Sequence, residues 1–278
     1  IPQVPDGPNI RTKIDLINIS AREAIKNFKV KFFCQDGTPW KLNFKANESQ
    51  EIGSEYILNL VPRQTLRIET AGLSSPTTSG YVIVADEESK TTSHSRDFVL
   101  GISVYYEVYA GAGVVDTVSV PVTAPTAIGT FPVEIDQTKD LYTGFAIVSL
   151  MSGVNKVVVS LYAADGKASS SANFTMAKGE QRAEFLNQRL FPGLKQFKGM
   201  AEFSCDGPVA ILALLQTRTA VDVQYATLVA TDKEALRHNS YVFLPQAVLS
   251  DAPYMPFDID ALVVDYLRQL EGEEGYPW

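Results

Sequence analysis

The sequence predicts an all-β protein: two tandem antiparallel β-sandwiches, immunoglobulin-like in type, with a short C-terminal helix. Three observations carry that expectation. Most of the 278 residues fall into short runs rich in Val, Ile, Thr, Tyr and Phe, punctuated by Gly, Pro, Asn, Asp or Ser. The same series of signals returns roughly 130 residues later, the mark of an internal duplication. With 45% hydrophobic and 20% charged residues, the chain is too apolar and too weakly charged to be disordered throughout, and it is long enough for two cores.

The first elements follow from alternation. Ile10, Thr12, Ile14, Leu16 and Asn18 share one face of a strand, and Phe28-Lys29-Val30-Lys31-Phe32 alternates apolar with cationic residues, so one face of each strand is solvated. Gln35-Asp36-Gly37-Thr38 supplies a D-G turn, where Gly tolerates the positive φ of a tight hairpin. The second set then answers the first. Thr12 to Asn18 matches Thr143 to Ser149, and Val30 to Gly37 matches Val159 to Gly166, turn included. Ser79 to Val84 matches Lys198 to Phe203, each ahead of a long apolar strand, and each copy closes on a last strand, at 117–122 and 225–230. The expected divisions are residues 1–125, residues 126–231, and an extension over 232–278, with the sandwiches end to end and a hinge at 123–129. Ile1-Pro2-Gln3-Val4, Phe131-Pro132-Val133-Glu134 and Leu244-Pro245-Gln246-Ala247 each read as an edge strand, because Pro cannot donate to a ladder. Two helices are expected. Residues 184–192 carry about two turns' worth of apolar spacing before Pro192, and residues 258–270 place Ile259, Leu262, Val263, Tyr266, Leu267 and Leu270 on one stripe.

The chemistry-bearing residues are sparse. His94 and His238 are the only histidines and sit in polar loops; there is no G-x-S-x-G, no H-x-x-x-H and no C-x-x-C. Cys34 and Cys205 fall on separate strands of separate copies and are expected to be free. The formal net charge of −8 disfavours nucleic acid as a partner, since phosphate neutralisation needs a basic surface. The longest apolar run, Val209 to Leu215, is too short for a membrane-spanning helix. Acidic groups at Asp86-Glu87-Glu88, Asp136 with Asp140, and Asp258 with Asp260 could offer oxygens to calcium but lack its twelve-residue loop spacing, so a solvated acidic surface is expected. Asn18, Asn47 and Asn173 stand in glycosylation sequons. No cofactor or metal and no catalytic residue is expected. Two binding surfaces remain. Leu262, Tyr266, Leu267 and Trp278 of the extension would meet a protein partner or a second copy, and Trp40, Tyr105 and Tyr109 would offer flat rings to a glycan.

The opening apolar-Pro-Gln-Val, the run Arg11 to Asn18, Phe32-Phe33 ahead of Asp36-Gly37-Thr38-Pro39, and in the second half Leu190-Phe191-Pro192, Phe197-Lys198-Gly199 and Pro208-Val209-Ala210 resemble the repeated β-sandwich modules of large secreted bacterial surface proteins. The resemblance covers about residues 1–230 and brings no active-site residues. It implies an exported, non-catalytic structural or interaction subunit at the cell surface. A start without Met fits either a mature chain whose signal peptide has been removed or an excised piece of a longer chain. The alternative expectation is a carbohydrate-binding module.

Overall fold

The computed structural model describes residues 1–86, 100–218 and 223–232, all within one compact unit. In β2 (Ile10–Asn18) Thr12, Ile14, Leu16 and Asn18 are buried while the residues between them stay partly exposed, as the alternation requires. β3 (Ile25–Cys34) turns Val30 and Phe32 inward. Burying a side chain such as Phe32 or Leu16 stabilises by about 1.5–3 kcal/mol. β1 (Val4–Asp6), β8 (Thr78–Asp86), β3 and β6 (Glu55–Leu60) form one sheet in the order β1-β8-β3-β6. The facing sheet runs β10 (Gly113–Ser119), β9 (Leu100–Ala110), β2, β7 (Thr65–Thr70), β4 (Leu42–Ala46), β5 (Ser49–Gly53). Every pairing within these two sheets is antiparallel.

The second set repeats this order. β11 (Thr126–Asp136), the first part of β16 (Gln196–Arg218), β13 (Asn155–Ala163) and β14 (Ala168–Met176) stand where β1, β8, β3 and β6 stand in the first. β17 (Val223–Val229), the second part of β16, β12 (Leu141–Ser149) and β15 (Gln181–Phe185) answer to β10, β9, β2 and β7. β16 serves both sheets by turning a corner at Gly207, where the buried Asn155 amide accepts from Gly207 N and donates to Gly207 O, each at 3.1 Å. β18 (Thr231–Asp232) pairs with β11.

The duplication extends to single residues. Gly80 lies opposite Cys34 and Gly199 opposite Ala163; a Cβ on Gly80 would sit 2.1 Å from Phe33 O, and one on Gly199 2.0 Å from Tyr162 O, so both copies need glycine at this close backbone approach. Both hairpins keep a left-handed glycine, Gly37 and Gly166, and an Asp that accepts from the backbone N–H two residues on. Thr12 and Thr143, both buried, donate to Pro5 O and Glu134 O at 2.7 and 2.8 Å.

The observed register also corrects the reading in three places. Val4 pairs with Gly80 and Val133 with Gly199, so the two opening strands correspond one residue out of step with the Pro2–Pro132 match. Thr126 to Gly129 belong to β11 rather than to a hinge, because β16 supplies them with ladder partners. Among the described residues β4 and β5 have no counterpart in the second copy. Residues 184–192 are not helical: Glu184 and Phe185 pair with Phe145 and Gly144, and a chain of turns follows, with Phe185 N donating to Gln188 Oε1 and Phe191 N to Leu186 O. The apolar spacing there serves the core instead, through buried Leu186 and Phe191. The 258–270 helix and the Leu244 stretch lie outside the described residues.

Candidate functional site

What sets the second copy apart is burial. β12 is buried without interruption from Thr143 to Ser149, whereas its counterpart β2 alternates. Phe145 and Ile147 point into the second core, while Ala146, and Leu212 opposite it on β16, pack into the core of the first copy. Val148 and Ala210 meet Tyr81, with Phe33 and Ile83 against them. The sheet β15-β12-β16-β17 is thus covered on both sides, which demands a continuous apolar run rather than alternation. The copies therefore meet along the face of a sheet instead of end to end.

Gln181, at the start of β15, holds this junction. Its backbone N–H donates to Gln35 O at 2.7 Å, and its Nε2 donates to Pro2 O at 2.5 Å and to Gly80 O at 2.9 Å, so one buried amide ties both the first hairpin and the β1–β8 pair to the second copy. Gly179 closes against Gly37, where a Cβ on Gly37 would come 2.8 Å from Gly179 O. Thr227 Oγ1 donates to Ser119 O on the other flank. Beside the junction a cleft of about 210 Å³ is lined by apolar side chains including Val84, Ile102, Val122 and Leu150. Sequence reasoning missed Gln181, whose role comes from contacts some 100 to 180 positions away.

An open face of the first copy lies outside β9, β2 and β7. Tyr105 and Tyr109 share it, as strand alternation requires, but cations cover their rings: Arg11 stands 4.8 Å from the Tyr109 centroid, and Lys13 and Arg67 stand 5.9 and 5.8 Å from that of Tyr105. The cations are themselves paired. Lys13 Nζ meets Glu107 Oε1 at 2.8 Å, Arg67 grips Asp15 through 2.7 and 2.9 Å hydrogen bonds, and Arg11 lies 3.7 Å from Glu69. Burial alone would push the Glu107 carboxyl up, but hydrogen bonds from Lys13 and Tyr109 outweigh it and hold it below the usual range. Trp40 is only 7% exposed and packs in the first core against Gly80, so it offers no ring face to a sugar. The three aromatics are not brought together as a platform.

The remaining candidates serve as supports. Asp136 accepts from Thr138 and Gln196 and pairs with Lys139 at 3.3 Å; the Thr138 hydrogen bond is the main cause of a carboxyl pKa lowered to about 2. Among the described residues no group of three or more His, Cys, Asp or Glu could hold a metal ion, and no helix is long and apolar enough to cross a membrane. Asn18 is buried and donates to Glu23 O and Leu60 O, whereas Asn47 and Asn173 are exposed. Cys34 and Cys205 are free thiols, and burial pushes Cys205 up to about 12. His94, His238, Leu262, Tyr266, Leu267 and Trp278 lie outside the described residues.

No family model and no curated protein matches the chain. Among solved structures, the crystal structure of Thermotoga maritima 1070 is similar over 39% of this chain and 96% of its own, at 11% identity and a TM-score of 0.34.

Proposed function

We propose that this chain is a non-catalytic structural and interaction subunit of a bacterial cell-surface assembly, exported and built from duplicated immunoglobulin-like sandwiches. The observation that carries the reading is the junction: one sheet, covered on both sides and tied by Gln181, makes two modules a single stiff body, as a spacer requires. The buried polar side chains serve the same end. Asp6 accepts from Gly72 N and Ser74 N, Asn18 and Asn155 hold chain reversals, and the charges of the open face neutralise one another. The likeness to repeated surface modules points the same way. The test is protease shaving of intact source cells carrying an epitope-tagged copy. Loss of the tag from intact cells is the expected result; a tag digested only after lysis would contradict the reading. The carbohydrate alternative loses its support because Trp40 is buried and cations occupy the tyrosine faces.

A further inference from the structure

Sheet edges expose unpaired N–H and C=O groups, and proteins guard them with charge, Pro, bulges or brevity. The two copies differ sharply here. In the first, Glu55 at the head of β6 sets a charge on that edge and pairs with Lys29 at 3.1 Å. β1 is three residues long and contains Pro5, β5 carries Glu51, and β10 carries a bulge and Asp116. In the second copy the counterpart of β6 is β14. It spans nine residues, Ala-Ser-Ser-Ser-Ala-Asn-Phe-Thr-Met, without a charge or a proline; its register against β13 shifts only at Ser169, near one end, and no strand among the described residues pairs with its outer side.

We infer that β14 is a self-association edge, which pairs antiparallel with β14 of a second copy across a two-fold axis. The sequence of the strand is self-complementary in that arrangement. With the axis at Ala172, Ser171 lies opposite Asn173 on the solvent face on both sides of the axis, clear of the register shift at Ser169, so small hydrogen-bonding side chains face each other at the centre of the pair. That ladder already exists within one copy, where Ser171 Oγ stands 3.5 Å from Ser160 Oγ on β13.

Nine residues at about 3.3 Å each give a paired edge of about 30 Å. An edge of that size falls below the roughly 1,200 Å² of a standard interface, so the dimer is weak, with a Kd of about 10–100 μM. The inference rests on the proposed role as an interaction subunit and names its partner; shaving of intact cells tests the role and leaves the self-association measurement untouched. That measurement is sedimentation of the full chain across the micromolar range. Wild type should pass from monomer to dimer. Ser171→Lys with Asn173→Lys opposes like charges at both pairs and should weaken the dimer at least tenfold, whereas Ser171→Lys with Asn173→Glu opposes unlike charges and should restore it. Both positions are exposed, so the melting temperature should stay unchanged. A wild type that remains monomeric to about 1 mM, well above that Kd, overturns the inference, as does a dimer on which the two double variants act alike.

Discussion

Replacing Gln181 by Met removes the one side-chain donor that reaches from the second copy to Pro2 O and Gly80 O, while it nearly preserves the volume of the side chain. The site is buried, so water cannot take over fully. Leaving buried hydrogen-bonding groups unpaired costs about 1–3 kcal/mol each, and relief of the amide's own unpartnered Oε1 returns part of that. The net loss should be about 2–4 kcal/mol. For a body of this size each kcal/mol lowers the melting temperature by about 2–4 °C, so a fall of about 4–16 °C is expected. Urea denaturation followed by circular dichroism gives the free energy, and calorimetry the temperature. Gln188→Ala serves as the control: its Oε1 accepts from Phe185 N on an exposed turn, and it should cost less than about 1 kcal/mol. A Gln181→Met protein within about 0.5 kcal/mol of wild type, inside the range of neutral surface changes, would refute the account of the junction.

Three further outcomes follow from the geometry. Gly80→Ala and Gly199→Ala should each cost about 3 kcal/mol or more, because the new Cβ would collide with backbone oxygen, while Gly166→Ala, left-handed but in open space, should cost only about 1–2 kcal/mol; chemical denaturation ranks the three. The Asp136 carboxyl, lowered to about 2 first by the Thr138 hydrogen bond, contributes stability that is present above the ordinary carboxylate range and lost as pH falls toward 2; an NMR titration should show that midpoint move up in Thr138→Val. Cys205, pushed up to about 12 by burial, should react far more slowly with a thiol reagent at pH 8 in the folded protein than in denaturant, where both cysteines should titrate as free thiols.

The duplication was legible because each matched pair performs the same local task in both copies. Asp36-Gly37 and Asp165-Gly166 turn the chain, and Thr12 and Thr143 donate to carbonyls of the opening strands. Residues 184–192 misled because apolar spacing at a strand end followed by turns resembles one face of a short helix, while Phe145 and Gly144, far away in sequence, claim Glu184 and Phe185 as strand. Tertiary pairing overrode the local pattern. The packing of the copies did leave a trace: Gly144-Phe145-Ala146-Ile147-Val148 lacks the alternation that Lys13 and Asp15 give the matching stretch of β2, and such a run belongs in a sheet covered on both faces. Gln181 left no such trace, since nothing near it in sequence announces a buried amide spanning two copies. Trp40 and the tyrosines misled as a glycan surface because residue type alone does not reveal whether a ring is buried or capped by a cation.

The central claim is that the junction makes one cooperative body of the two copies. Differential scanning calorimetry of the full chain tests it most directly, because a body welded through a doubly covered sheet melts as a unit. The account predicts that residues 1–232 contribute a single transition whose calorimetric and van't Hoff enthalpies agree, and that Gln181→Met shifts the whole of it downward. Two resolved transitions in wild type, with only one of them moved by Gln181→Met, would contradict it.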